Sequence, residues 1–128
     1  MRLELPHSEI EAVYKEMILE LFRHPLNKKI PKRYDVKRRG LNPSCGDEIE
    51  VMIAWEEGKL SDIGHQGQGC AISQAAASLI TDYVKGKTAT EILSITNTDM
   101  INMLGIPVSY TRIKCALLCL STIQDALT

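Results

Sequence analysis

Apolar residues near the start of the chain recur at helical spacing. In SEIEAVYKEMILELFRHP, residues 8–25, Ile10, Val13, Met17, Ile18, Leu21 and Phe22 form a stripe of helical period. Ser8 and Glu11 are spaced as a capping box, and Pro25 stops the helix. In PKRYDVKRRGLNP, Tyr34 and Val36 alternate with charged residues, which predicts a short edge strand defended by Lys and Arg. From Glu48 to Trp55 the alternation becomes strict. Ile49, Val51 and Ile53 fall on one face, and Glu50, Met52 and Ala54 on the other. EEGK at 56–59 supplies a turn, and Leu60 to Gln66 reads as the returning strand of a hairpin.

Beyond Gly69 the period returns to that of a helix. CAISQAAASLITDYVKG places Ile72, Ala75, Ala76, Leu79, Ile80 and Tyr83 on one face, with Gly86 suited to close the helix. TATE at 88–91 is a second capping box and opens a short helix to about Ser94. Another short helix fits Thr98 to Leu104, ended by Gly105 and Pro107. The last runs from about Ser109 to Leu127, with Ile113, Leu117, Leu120 and Ile123 apolar. A helix, then at most three strands, then four helices predicts an α+β fold: a small antiparallel three-stranded sheet with helices on one face. With 128 residues and no repeat or linker, the whole chain, 1–128, is expected to be a single domain.

Composition narrows the function classes. An apolar fraction of 45% is that of a globular protein. A net charge of −1 exerts no general pull on nucleic acid or membrane, and six aromatics give poor support to base stacking. The charge is unevenly spread. Lys28, Lys29, Lys32, Arg33, Lys37, Arg38 and Arg39 crowd one window, which is either a solvated loop and edge strand or a docking surface for an acidic partner. No signal-peptide pattern and no spanning apolar run occurs, so a cytoplasmic location is expected. In a reducing compartment four cysteines are metal ligands, nucleophiles or core thiols more often than disulfides.

Cys45 lies at the mouth of the central strand, Cys70 at the start of the long middle helix, and Cys115 in the first half of the last helix. All three could meet at one end of the sheet. The gaps of 25 and 45 residues (70 − 45 and 115 − 70) match no zinc-finger spacing. The flanks are more informative. Gly46 follows Cys45, and Gly67 and Gly69 precede Cys70, allowing close backbone approach to a ligand. The helix N-terminus favours a thiolate at Cys70, and Lys114 and Arg112 favour one at Cys115. Asp47 adds a hard oxygen. Three thiolates and a carboxylate suit tetrahedral zinc, or an iron–sulfur cluster with one weak ligand. Cys119, four residues beyond Cys115 among leucines, reads as a core thiol, with a spare ligand or sulfur relay as the other reading. His24 and His65 read as surface or packing residues. No phosphate loop, nucleophile elbow or carboxylate pair competes.

NPSCGDEIEV, GQGCAISQAAASLI, VKGKT and RIKCALL, together with VYKEMILELFRHPLNK, resemble the iron–sulfur cluster scaffold family of IscU, SufU and the N-terminal domain of NifU. The likeness runs from about residue 10 to 127. It implies the α+β fold with the cysteine site at one exposed end. It implies that Cys45, Asp47, Cys70 and Cys115 hold iron or zinc, and that Cys115 or Cys70 accepts sulfur. It also implies a partner, a pyridoxal-phosphate cysteine desulfurase, to which the pyridoxal phosphate belongs, and acceptor apoproteins, with the scaffold a monomer or weak homodimer.

The family has two branches. IscU-type members build and pass on a [2Fe–2S] cluster. SufU-type members hold zinc and accept sulfur. Lys114 before Cys115 resembles SufU, whereas the short gap between Cys70 and Cys115 resembles IscU. IPVSY at 106–110 is a reduced form of the chaperone-binding segment of IscU. The first reading is a scaffold for a transferable [2Fe–2S] cluster, and the alternative a zinc-dependent sulfurtransferase.

Overall fold

The computed structural model describes residues 7–127, with side chains from residue 12 onward. A helix α1 (His7–Arg23) precedes three strands, β1 (Val36–Asn42), β2 (Asp47–Glu56) and β3 (Lys59–Gln68). Four helices follow: α2 (Ala71–Tyr83), α3 (Ala89–Leu93), α4 (Asn97–Leu104) and α5 (Ile113–Asp125), the last entered through a 3-10 turn, Tyr110–Arg112. The strands form one antiparallel sheet in the order β1-β2-β3. This is the expected α+β architecture.

The alternation of β2 explains the layers. Ile49, Val51 and Ile53 face a core shared with Leu60 and Ile63 of β3, Ala75, Ala76 and Ile80 of α2, and Ala116, Leu120 and Ile123 of α5. The alanines let α2 lie close to the sheet. The opposite face is also covered. Met52 and Ala54 are buried there, because the segment after α1 folds back beneath the sheet. Gly64, the partner of Met52, has no room for a Cβ against the Lys29 carbonyl and the Pro31 ring. The backbone N–H of His65 donates to the Asn27 carbonyl at 2.9 Å, closing the free edge of β3. The hairpin turn has positive φ at both Glu57 and Gly58, the form that follows the twist of the strands.

Several boundaries differ from expectation. β1 begins at Val36 and runs to Asn42, because its partner β2, rather than its own alternation, sets its length. The Ser8–Glu11 capping pair lies outside the described side chains. The buried face of α1 is narrower than its apolar stripe: Met17, Ile18 and Leu21 pack on the core, while Val13 and Phe22 are exposed. Tyr83 is likewise exposed, with the Lys87 ammonium 4.3 Å from its ring centre. The Thr88–Glu91 box is present. A further box, Thr96 with Asp99, starts α4 one residue earlier than expected.

Much of the basic window is engaged within the fold. Lys29 pairs with Asp62 at 3.1 Å, Arg33 with Asp35 at 2.9 Å and Arg39 with Glu48 at 2.9 Å, and Lys28 donates to Gln74. The solvated loop and edge strand therefore account for most of it. Among the described residues, no helix is long and apolar enough to cross a membrane.

Candidate metal centre

The β1–β2 connection makes the first part of the site. The Asn42 carbonyl accepts from the N–H groups of Cys45 at 3.3 Å and Gly46 at 3.0 Å, and Gly46 takes φ +73°. This tight turn leaves Cys45 exposed at its tip and delivers Asp47 into the first position of β2, where its side chain is buried. Asn42 and Asp47 are partners in the β1–β2 register, so their side chains share the core face. The first turn of α5 crosses that corner and brings Cys115, also buried, against both.

The sulfurs of Cys45 and Cys115 are 2.9 Å apart and both residues are free thiols. Ligand atoms of Cys45, Asp47 and Cys115 all lie within 4.8 Å of one another. The carboxylate beside them is half satisfied. Asp47 Oδ1 accepts from the Cys70 N–H at 3.3 Å. Asp47 Oδ2 is buried and, among the described residues, is the one such side-chain polar atom without a hydrogen-bond partner. Natively folded chains leave few buried oxygens unpaired. One held beside two thiols fits a cation, so the donor set suits zinc or iron.

Cys70 lines the same pocket without joining the close set. It occupies the N-cap of α2, half-buried, and makes no side-chain cap. Burial opposes its thiolate, but the Ser73 N–H, the Arg112 guanidinium and the Ile72 N–H outweigh it, so its pKa falls below that of an ordinary thiol. Cys115 behaves oppositely. Burial, then its contacts with Cys45 and Asp47, push its pKa well above the ordinary value. This corrects the expectation that Lys114 and Arg112 would favour a Cys115 thiolate. Arg112 bonds chiefly to Cys70, and Lys114 is an exposed residue of the pocket lining.

The pocket has a volume of about 860 Å³ and opens between the Cys45 turn, the Cys70 junction and the residues 110–114. Tyr110, 90% exposed, stands at its rim. Two glycines act differently from expectation. A Cβ on Gly69 would strike the Ser73 hydroxyl and approach the Asp47 carboxylate, and one on Gly67 would strike the Glu48 carbonyl. They make room for neighbouring protein atoms rather than for a ligand, and Gly69 thereby lets Asp47 sit beneath Cys70.

Cys119 is buried in the core cluster, with its pKa raised by burial, as a packing thiol should be. His65 is buried and its Nε2 lies 2.9 Å from the Leu26 carbonyl, a packing role, and His24 is exposed. Sequence reasoning missed Asn42. It stands inside the NPSCGD motif, but only the strand register shows that its side chain reaches Cys115.

The sequence and the fold have known counterparts. Residues 13–128 match the model of the NifU-like N-terminal domain. The chain is 28% identical to the zinc-dependent sulfurtransferase SufU of Bacillus subtilis, over 88% of this chain and 87% of that protein. It is 31% identical to the iron–sulfur cluster assembly scaffold protein IscU of Thermotoga maritima, over 91% of this chain and 94% of that one. Among solved structures, a putative iron–sulfur cluster assembly scaffold protein for the SUF system from Fervidobacterium islandicum superposes with a TM-score of 0.79. It is 26% identical, over 91% of this chain and 98% of that chain. The chain belongs to the NifU-like N-terminal domain family.

Proposed function

We propose that this protein is an iron–sulfur cluster assembly scaffold, acting as one domain over its whole length. It accepts sulfur from a cysteine desulfurase and builds a transferable [2Fe–2S] cluster on Cys45, Asp47, Cys70 and Cys115. The observation that carries this reading is the unpartnered Asp47 Oδ2, on a carboxylate buried beside two thiols in an open pocket. The names of the IscU-type relatives support it.

The chemistry follows from the difference between the two candidate acceptors. Cys70 is the more accessible and the more readily ionised, so it is the nucleophile of choice. Its thiolate attacks the outer sulfur of the desulfurase persulfide. A new S–S bond forms on Cys70, the partner's S–S bond breaks, and the partner's thiolate leaves. Two electrons from an external reductant then release that sulfur as sulfide, and ferrous iron enters as the second substrate. Cys115, buried and at the helix start, acts as a fixed ligand. Asp47 supplies the oxygen ligand that keeps the cargo exchangeable for an acceptor apoprotein.

A second reading is favoured by one observation. Three residues form the close set and Cys70 stands outside it, which suits a zinc site with an open position beside a free thiol. In that case Cys45, Asp47 and Cys115 would hold zinc, and the zinc would keep the site's thiols deprotonated. The protein would then be a zinc-dependent sulfurtransferase, as the SufU relative is named.

One experiment separates the two. The purified protein is incubated anaerobically with a cysteine desulfurase, cysteine and ferrous iron, and the visible spectrum is recorded beside the zinc content. Charge-transfer bands that grow as zinc falls are the expected result. Retained zinc, no colour and a faster desulfurase would make the protein a sulfurtransferase. No colour and no effect on the desulfurase would overturn both.

A further inference from the structure

Asn42 touches the site from two directions. It is the last residue of β1, 6% exposed, and it faces Asp47 across the register. Its main-chain carbonyl accepts from the N–H groups of Cys45 and Gly46 and lies 4.0 Å from the Cys45 sulfur. Its side-chain Nδ2 donates to Cys115 Sγ at 3.7 Å. The other groups close to that sulfur, Cys45 and Asp47, belong to the ligand set. Asn42 does not: an amide nitrogen carries its protons at every physiological pH and donates whether or not metal is bound.

We propose that Asn42 is the positioning residue of this site. Its carbonyl folds the turn that presents Cys45 and Asp47, and its amide holds Cys115 as a permanent N–H···S donor. The inference rests on the metal-centre reading above and adds to it a named source of tuning. A hydrogen bond to a ligand sulfur draws charge away from it. That weakens its donation to a metal, raises the energy of sulfur-to-metal charge transfer and shifts a cluster's reduction potential upward. It also fixes the rotamer of Cys115, so that one thiol stays in place while cargo arrives and leaves. Burial of Asn42 matters to both effects, since water cannot compete for the amide.

The first test uses the unaltered protein, loaded anaerobically with the spin-half isotope of cadmium and studied by proton–cadmium correlation. The Asn42 side-chain amide protons should show scalar coupling to the metal through the Cys115 sulfur. Cadmium coupled to the Cys45 and Cys115 methylene protons, with none to the Asn42 amide, would overturn the inference and leave the metal-centre reading intact. Cadmium bound away from those cysteines would overturn both. The second test replaces Asn42 with Leu, which keeps size and main-chain carbonyl but removes the donor without adding a charge. In Asn42→Leu loaded with cobalt(II), the thiolate charge-transfer bands should move to lower energy, because the sulfur then donates more charge to the metal. Unmoved bands in a folded variant would reduce Asn42 to a turn-forming residue.

Discussion

The two ends of the sheet treat their polar groups in opposite ways. At the hairpin end the strand and the loop after α2 exchange hydrogen bonds in both directions. Leu60 donates its N–H to the Lys87 carbonyl at 2.9 Å, Gly86 donates to the Leu60 carbonyl at 2.8 Å, and Ser61 Oγ donates to the Ala54 carbonyl. The Thr88–Glu91 box then caps the helix that follows. At the cysteine end the turn carries an exposed thiol, and a buried carboxylate keeps one oxygen unpaired. Leaving a buried acceptor unsatisfied costs about 1–3 kcal/mol. The hairpin end is built for stability, and the cysteine end holds a cost that a bound cation would remove. Stability and ligand affinity should therefore respond to different substitutions.

The largest effect tests that separation directly. Ile63, fully buried opposite Ile53 near the hairpin, anchors the closed end. Ile63→Ala should lower the stability of the metal-free protein by about 3 kcal/mol, measured by urea unfolding. The molecules that remain folded should bind metal as the parent does. A large fall in their affinity would show that the two ends are coupled and break the comparison.

Asp47→Ala sharpens it from the other side. The substitution removes the unpaired oxygen but also the acceptor of the Cys70 N–H. These losses offset one another, so metal-free stability should change by less than about 1 kcal/mol. On the proposed scaffold function, in which Asp47 is the exchangeable oxygen ligand, cluster transfer to an acceptor apoprotein, followed by the acceptor's absorbance, should slow by about tenfold. Faster loss of the cluster from Asp47→Ala would show that the carboxylate retains the cargo instead of releasing it.

The same division governs how much was legible in the sequence. The hairpin end obeys local rules, and local rules are written in short stretches. Strict alternation from Glu48 to Trp55, Gly58 in the turn, and Thr88 with Glu91 gave those elements within a residue or two. Where the signal was present but unread, the miss was small: Thr96 and Asp99 form a box as good as the first. The cysteine end depends on register and on a helix crossing. The motifs identified Cys45, Asp47, Cys70 and Cys115 as candidates. The set of three, the detached Cys70, the raised pKa of Cys115 and the reach of Asn42 all follow from where α5 meets the end of β1. No spacing encodes that crossing. Lys114 misled for the same reason, since adjacency along a helix sets neighbouring side chains on different faces.

The smallest effect concerns His65, which lies between the two ends. It pairs with Val51 on the core face and bonds the Leu26 carbonyl through Nε2. A carbonyl only accepts, so Nε2 carries the proton. Burial lowers the pKa of the ring, the hydrogen bond to Leu26 raises it, and Lys28 lowers it again. Burial prevails, and the value lies below 6.5. The unfolded chain therefore takes up a proton first as pH falls. Above about pH 6.5 the contribution of neutral His65 to stability is complete, and it declines as pH drops through the folded value. His65→Gln keeps a nitrogen donor near the same place and removes the titration. Thermal unfolding of the metal-free proteins at about pH 8 and about pH 5 should show the parent losing more stability than the variant. Equal losses would mean that the imidazole is protonated as easily in the fold as in water, and that the segment of residues 26–31 opens at the edge of β3 to let it be so.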